Sequence, residues 1–151
     1  FAENFTALIK YLIEVKGYTC VKEATLYNEP ECGVSPMGWY DRTCRVFEAR
    51  LRREGLRDKI RFNCSDNTDT RRFFLEQTVE RVGDIADMYN SHTYLYDCNT
   101  TNSTIYNWEK RNVEACKGKP HYVCEFGLSN GNGLNATSTA TRSSTGTCRS
   151  G

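Results

Sequence analysis

Residues 24–27, Ala-Thr-Leu-Tyr, form a short apolar run that ends in Asn-Glu-Pro at residues 28–30. A second apolar run, His-Tyr-Val-Cys at residues 121–124, ends in Glu125. Short apolar runs followed by Pro or Gly are typical of buried strands, so a glutamate is predicted at the carboxyl end of each strand. The carboxyl ends of parallel strands share one face, where catalytic side chains gather in barrels of such strands.

Helix and strand patterns alternate along the rest of the chain. Apolar residues at helical spacing, each followed by a helix-ending glycine, predict four helices near residues 5–16, 39–54, 70–82 and 105–116. Between and after them, short apolar segments predict strands at residues 21–27, 60–64, 85–90 and 122–125. The alternating order predicts an α/β fold with a parallel sheet whose connections are right-handed.

Composition narrows the class of protein. A chain of 151 residues is long enough for one domain with a core. The net charge of +1, with Lys and Arg dispersed, lacks the basic stripe of a nucleic-acid-binding protein. No apolar run approaches the roughly 18–20 residues that span a membrane. We therefore expect neither nucleic acid nor a membrane as a partner.

The eight cysteines favour a secreted protein but leave two interpretations open. They contain no Cys-x-x-Cys pair, so a zinc ribbon or a thioredoxin-like motif is not indicated. Some could form disulfides, with Cys32, Cys64 and Cys98 the favoured members because all three lie at or after strand ends. Others, such as Cys20 and Cys124, could be small buried hydrophobic side chains. Five Asn-x-Ser/Thr sequons also fit secretion, at Asn4, Asn63, Asn99, Asn102 and Asn135.

Polar side chains accumulate where the predicted strands end. Glu29 follows the first strand, Asp66 the second, His92 the third and Glu125 the fourth. Two carboxyls that face each other across a sugar-sized gap are what hydrolysis of a glycosidic bond requires. We therefore expect the carboxyls of Glu29 and Glu125 to converge.

Three segments resemble clan A glycoside hydrolases and occur in that family's order. Residues 25–30 (TLYNEP) resemble its fourth strand, residues 90–94 (NSHTY) the segment after its sixth, and residues 118–127 (GKPHYVCEFG) its seventh. The resemblance implies that residues 1–127 form part of a (β/α)8 TIM barrel, followed by a Ser/Thr/Gly-rich tail or loop at residues 128–151. Since a whole barrel has eight strands, we favour a fragment of a longer chain over two copies that associate through open sheet edges or a small open sheet.

The resemblance also implies a function. The protein would be a retaining glycoside hydrolase that acts on a β-linked oligo- or polysaccharide, such as a glucan or mannan, without a cofactor or metal. Glu29 would be the general acid/base and Glu125 the nucleophile, with carboxyls about 5–5.5 Å apart. Asn28 would bind the sugar 2-hydroxyl. Cys124 is expected to point away from the site, because adjacent strand residues face opposite sides.

Four further side chains are candidates for the site, and three of them have a simpler alternative. Tyr94 would hold Glu125 through its phenol, and His92 would line the same cleft or be a structural histidine. Trp39 could stack on a sugar ring or belong to the core. Asp66 could bind substrate or cap the following helix, and His121 is expected to be structural.

Two other functions stay open at this point. One is a non-catalytic carbohydrate-binding remnant that keeps the cleft without turnover. The other is a secreted interaction domain held together by disulfides, in which the two glutamates would lie far apart. The separation of the carboxyls of Glu29 and Glu125 distinguishes the interaction domain, in which they lie far apart, from the hydrolase and the carbohydrate-binding remnant, in which they converge.

Overall fold

The computed structural model describes residues 1–32, 37–68, 73–95 and 101–128, and in these residues helices and strands alternate as predicted. The helices are α1 (Ala2–Lys10), which continues as π-helical turns at Tyr11–Val15, α2 (Met37–Arg53), α3 (Phe73–Val82) and α4 (Asn102–Ala115). The strands are β1 (Glu23–Ala24), β2 (Arg61–Asn67), β3 (Met88–Leu95) and β4 (His121–Leu128). The predicted tail lies outside the described residues from position 129 onward.

The four strands form one curled parallel sheet in the order β1-β2-β3-β4. Every neighbouring pair is parallel, and strands that are consecutive in the chain are adjacent in the sheet. A helix connects each strand to the next. The predicted α/β class with a parallel sheet is therefore confirmed.

Aromatic side chains join the first two helices to the sheet. Phe47 of α2 is fully buried, and its ring lies 5.4 Å from that of Phe5 and 5.1 Å from that of Phe62 in β2, measured between centroids. Cys44 and Leu51 lie three residues before and four after Phe47, so all three share one buried face of α2. This packing anchors the strand that leads to Asp66.

The strand boundaries differ from the sequence prediction. β1 has only two residues, and the chain then follows β2 through isolated bonds, such as the 3.0 Å bond from the Glu29 N–H to the Asp66 carbonyl. β3 extends to Leu95, because it stays paired with β4 as far as Leu128. His92 and Tyr94 therefore lie within a strand rather than after one.

Two register shifts interrupt the sheet near its carboxyl edge. In β2, Ser65 pairs with Asn90 and Asn67 pairs with Ser91, so Asp66 has no partner in the ladder. The left-handed backbone at Ser65 (φ 88°) and Asp66 (φ 54°) accompanies this bulge. In β4, Ser91 pairs with Val123 and His92 with Glu125, which leaves Cys124 as the extra residue. Bulges of this kind re-aim side chains and break the strict alternation of faces.

No disulfide joins two described residues, and Cys64 does not take the predicted role. Cys64 is fully buried, and its thiol is free. Cys98, another of the three candidates, lies outside the described residues, so a bridge that includes it stays a prediction. Cys20 and Cys124 are exposed, so neither is the buried hydrophobic side chain that the sequence suggested.

The structure limits which sequons are usable. Asn63 lies in β2 with an exposed fraction of 2%, so a glycosyltransferase cannot reach it in the folded chain. Asn4 and Asn102 are exposed in helices, whereas Asn99 and Asn135 lie outside the described residues. In the described part of the chain, no helix has the length and apolar character needed to cross a membrane.

Candidate active site

Glu29 reaches the carboxyl edge of the sheet on a strained turn. Its backbone is left-handed, with a φ of 47°, and its N–H is held by the carbonyl of Asp66 in β2. This conformation is uncommon for a residue other than glycine. The side chain is 29% exposed, and its Oε1 lies 2.9 Å from Nδ1 of His92.

Glu125 approaches the same imidazole from β4. Its Oε2 lies 3.3 Å from Nδ1 of His92, and the side chain is 41% exposed. One carboxylate oxygen from each glutamate lies within 4.8 Å of the other and of the imidazole nitrogen. The predicted convergence of the two carboxyls is confirmed, although the two residues are 96 positions apart in the sequence.

Tyr94 holds Glu125 from the same strand as His92. The Tyr94 hydroxyl donates a 2.8 Å hydrogen bond to Oε2 of Glu125. This hydrogen bond to a carboxylate, with a smaller contribution from burial, raises the pKa of Tyr94 to about 12. The phenol is therefore protonated at neutral pH and acts as the donor in this hydrogen bond.

Asp66 lies on the other side of the His92 ring, near the carboxyl end of β2, as its position after the second apolar run predicted. Its Oδ1 is 3.3 Å from Nε2 of His92 and accepts a 2.7 Å hydrogen bond from Nδ2 of Asn90. The expectation that Asp66 caps the next helix is wrong, because the residue is buried within β2. The bulge turns its side chain toward β3 instead.

Cys124 also joins this cluster, contrary to the expectation that it points away from the site. Its Sγ lies 3.0 Å from Oδ1 of Asp66 and 3.1 Å from Nδ2 of Asn90. Because Cys124 is the extra residue of the β4 bulge, Cys124 and Glu125 both reach groups around His92. The residue keeps exposed surface, but partial burial of its thiol, followed by the hydrogen bond to Asp66, raises the pKa of the Cys124 thiol to about 12.

The other residues considered in the sequence are Asn28, Trp39 and His121. Asn28 is exposed, and its side chain makes no hydrogen bond to another described residue. Trp39 packs edge-on against Tyr27 with ring centroids 5.1 Å apart, but it is 40% exposed and is not part of the buried core, so its stacking on a sugar stays a prediction. Nε2 of His121 lies 3.0 Å from Oγ of Ser91, a contact that matches the structural role expected for this histidine.

Among the residues that the structure describes, two sets of three side chains have donor atoms close enough together to hold a cation. One consists of Glu29, His92 and Glu125, and the other of Asp66, His92 and Cys124. They share His92, which presents Nδ1 to the two glutamates and Nε2 to Asp66. The sequence suggested only the first set as a group, because the second set depends on the two bulges.

No protein-family model and no curated protein matches this chain. The likeness of residues 25–30, 90–94 and 118–127 to clan A glycoside hydrolases therefore stays a prediction.

Proposed function

We propose that this protein is a retaining glycoside hydrolase that acts on a β-linked oligo- or polysaccharide, and that its sheet is part of a (β/α)8 barrel. The observation that carries the proposal is the approach of Glu29 and Glu125, whose carboxylate oxygens come within 4.8 Å. Retaining enzymes have carboxyls about 5–5.5 Å apart, whereas inverting enzymes need about 6.5–9.5 Å to admit a water molecule.

The two carboxyls divide the reaction between them. Glu29, in its acid form, gives its proton to the glycosidic oxygen as the bond to the anomeric carbon breaks. Glu125, as a carboxylate, attacks that carbon and forms a glycosyl ester. Glu29, now ionised, takes a proton from water, and the resulting hydroxide attacks the ester. The sugar leaves with its original configuration, and both carboxyls return to their starting states.

The surroundings of the carboxyls support this assignment of roles. Glu125 accepts a hydrogen bond from the Tyr94 phenol, and such a bond to the charged form stabilises a nucleophilic carboxylate. Glu29 faces His92, with its Oε1 2.9 Å from Nδ1 of the ring. The exposed amide of Asn28 adjoins Glu29 in the chain and is proposed to bind the 2-hydroxyl of the sugar.

The proposed activity is tested with aryl β-glycosides, using proton NMR of the anomeric region to identify the first-formed sugar. We expect the β-anomer to appear first, with the α-anomer following only through mutarotation. Glu125→Gln should abolish release of the aryl group, whereas Glu114→Gln, at an exposed position of α4, should not change it. Initial formation of the α-anomer, or wild-type rates in Glu125→Gln, would contradict the proposal.

A non-catalytic carbohydrate-binding role is the second candidate, favoured by the open sheet. In the described residues, β1 pairs only with β2, and β4 pairs only with β3. Glu29 and Glu125 then lie near opposite edges of an open sheet, and this sheet borders the cleft between them on one side only. Saturable binding of a β-glucan or β-mannan oligosaccharide without product formation would favour this second role.

A further inference from the structure

We propose that Asp66, His92 and Cys124 form a binding site for a divalent cation of the zinc type. These residues come from three adjacent strands, and their donor atoms all lie within 4.8 Å of one another. The inference does not depend on the proposed hydrolysis, because it concerns the Nε2 side of His92 rather than the Nδ1 side that faces the glutamates.

The spacing of the donor atoms suits a tetrahedral ion. Zinc bonds of roughly 2.0–2.3 Å place neighbouring ligand atoms about 3.5 Å apart. Oδ1 of Asp66 is 3.3 Å from Nε2 of His92 and 3.0 Å from Sγ of Cys124. Small shifts of these side chains would therefore admit the ion, and three protein ligands would leave a fourth position for water.

Hydrogen bonds around the three residues match the support that metal ligands usually receive. Nδ1 of His92 lies 2.9 Å from Oε1 of Glu29, and a metal-bound histidine usually donates its other ring N–H to a carboxyl or carbonyl oxygen placed in this way. Asn90 donates a 2.7 Å hydrogen bond to the ligand oxygen of Asp66. These contacts hold the orientation of the His92 ring and of the Asp66 carboxylate.

The donor set selects the kind of ion. A thiolate and an imidazole favour zinc and related transition metals, whereas magnesium and calcium prefer oxygen ligands alone. The Cys124 thiol gives its proton to solvent as the sulfur–metal bond forms, so no oxidant or reductant is required. Cys124 is exposed, which gives the ion a route to the buried His92.

The test uses cobalt(II) as a spectroscopic substitute for zinc, added to the reduced protein. We expect a near-ultraviolet sulfur-to-cobalt band with the visible bands of a four-coordinate ion, all removed by excess zinc. Cys124→Ser should lose the sulfur band, while Cys20→Ser, which changes an exposed thiol outside the cluster, should keep it. Asn90→Ala should weaken cobalt binding by about 10- to 100-fold.

A second measurement keeps the wild-type sequence, so it does not depend on how the variants fold. Alkylation by iodoacetamide is followed at each cysteine by peptide mass spectrometry. Zinc should slow the alkylation of Cys124 but not of Cys20, and magnesium should slow neither. Equal rates at Cys124 with and without zinc, or a sulfur–cobalt band that survives Cys124→Ser, would overturn the proposed metal site without affecting the proposed hydrolysis.

Discussion

The hydroxyl of Tyr94 in β3 donates a 2.8 Å hydrogen bond to Oε2 of Glu125 in β4. The two residues are nearly opposite each other, since Tyr94 pairs with Gly127 and His92 pairs with Glu125 in the strand register. Glu125 lies two residues before the partner of Tyr94, so the two side chains are diagonal neighbours on one face of the sheet and can meet there. The orientation of the proposed nucleophile is thus built into the pairing of β3 with β4.

Replacing Tyr94 with phenylalanine should slow the proposed hydrolysis without unfolding the protein. The variant keeps the ring but removes the donor that orients Glu125, and misplacement of a reacting group lowers kcat by about 10- to 100-fold. The measurement is kcat on an aryl β-glycoside. Tyr106→Phe changes a tyrosine that is 66% exposed on α4 and should retain the wild-type kcat. Equal kcat values for Tyr94→Phe and wild type would exclude this role.

Replacing each glutamate with alanine should give different patterns of chemical rescue. In Glu125→Ala, azide can enter the space of the missing nucleophile and restore turnover, yielding an α-glycosyl azide. In Glu29→Ala, activity should persist only on substrates whose leaving group needs no proton, and azide should yield a β-glycosyl azide. The products are identified by NMR, and the opposite pattern of azides would reverse the two assigned roles.

Phe47 should be among the residues most important for stability. It is fully buried between Phe5 and Phe62, so Phe47→Ala leaves a cavity and should lower the free energy of unfolding by about 3–5 kcal/mol. The adjacent Val46 is 52% exposed, and Val46→Ala should change that free energy by no more than about 0.5 kcal/mol. Urea unfolding followed by circular dichroism measures both, and similar losses in the two variants would contradict the described packing.

His121 should make the fold less stable in acid. Burial lowers the pKa of His121 below its ordinary value of 6.5, so below that pH the unfolded chain binds a proton that the folded chain does not. The free energy of unfolding should therefore fall as the pH drops below 6.5 toward the lowered pKa. His121→Gln removes the titration, and its stability should decline less over the same range. Parallel pH profiles for the two proteins would be evidence against this contribution.

The fold class could be predicted from the sequence because the spacing of apolar residues and the positions of the glycines indicate the same helices. Each predicted helix contains apolar residues at helical spacing, and Gly17, Gly55 and Gly118 adopt the positive φ that ends a helix. The predicted end of the third strand, at residue 90, was wrong because residues 90–93 are polar yet buried. Their polar atoms are satisfied by side-chain contacts to neighbouring strands and helices, such as the hydrogen bond from Thr93 to Glu109 of α4, which the sequence alone does not reveal.

The site was predictable only in part. The positions of Glu29 and Glu125 follow from their place after apolar runs, and their convergence follows from a parallel sheet. The positions of Asp66 and Cys124 depend on two bulges, and a bulge leaves no periodic signal in a single sequence. Ser65 and Asp66 adopt positive φ values although neither is a glycine. Simple alternation of faces therefore assigned Cys124 to the wrong side.

The most direct test of the central claim, that Glu29 and Glu125 form a retaining catalytic pair, is covalent trapping of the nucleophile. The protein is incubated with an activated 2-deoxy-2-fluoro-β-glycoside, whose fluorine slows hydrolysis of the glycosyl ester more than its formation, and digested peptides are analysed by mass spectrometry. We expect one glycosyl group per chain, attached to Glu125, and none on Glu29. An unlabelled protein, or a label on any other residue, would contradict the claim.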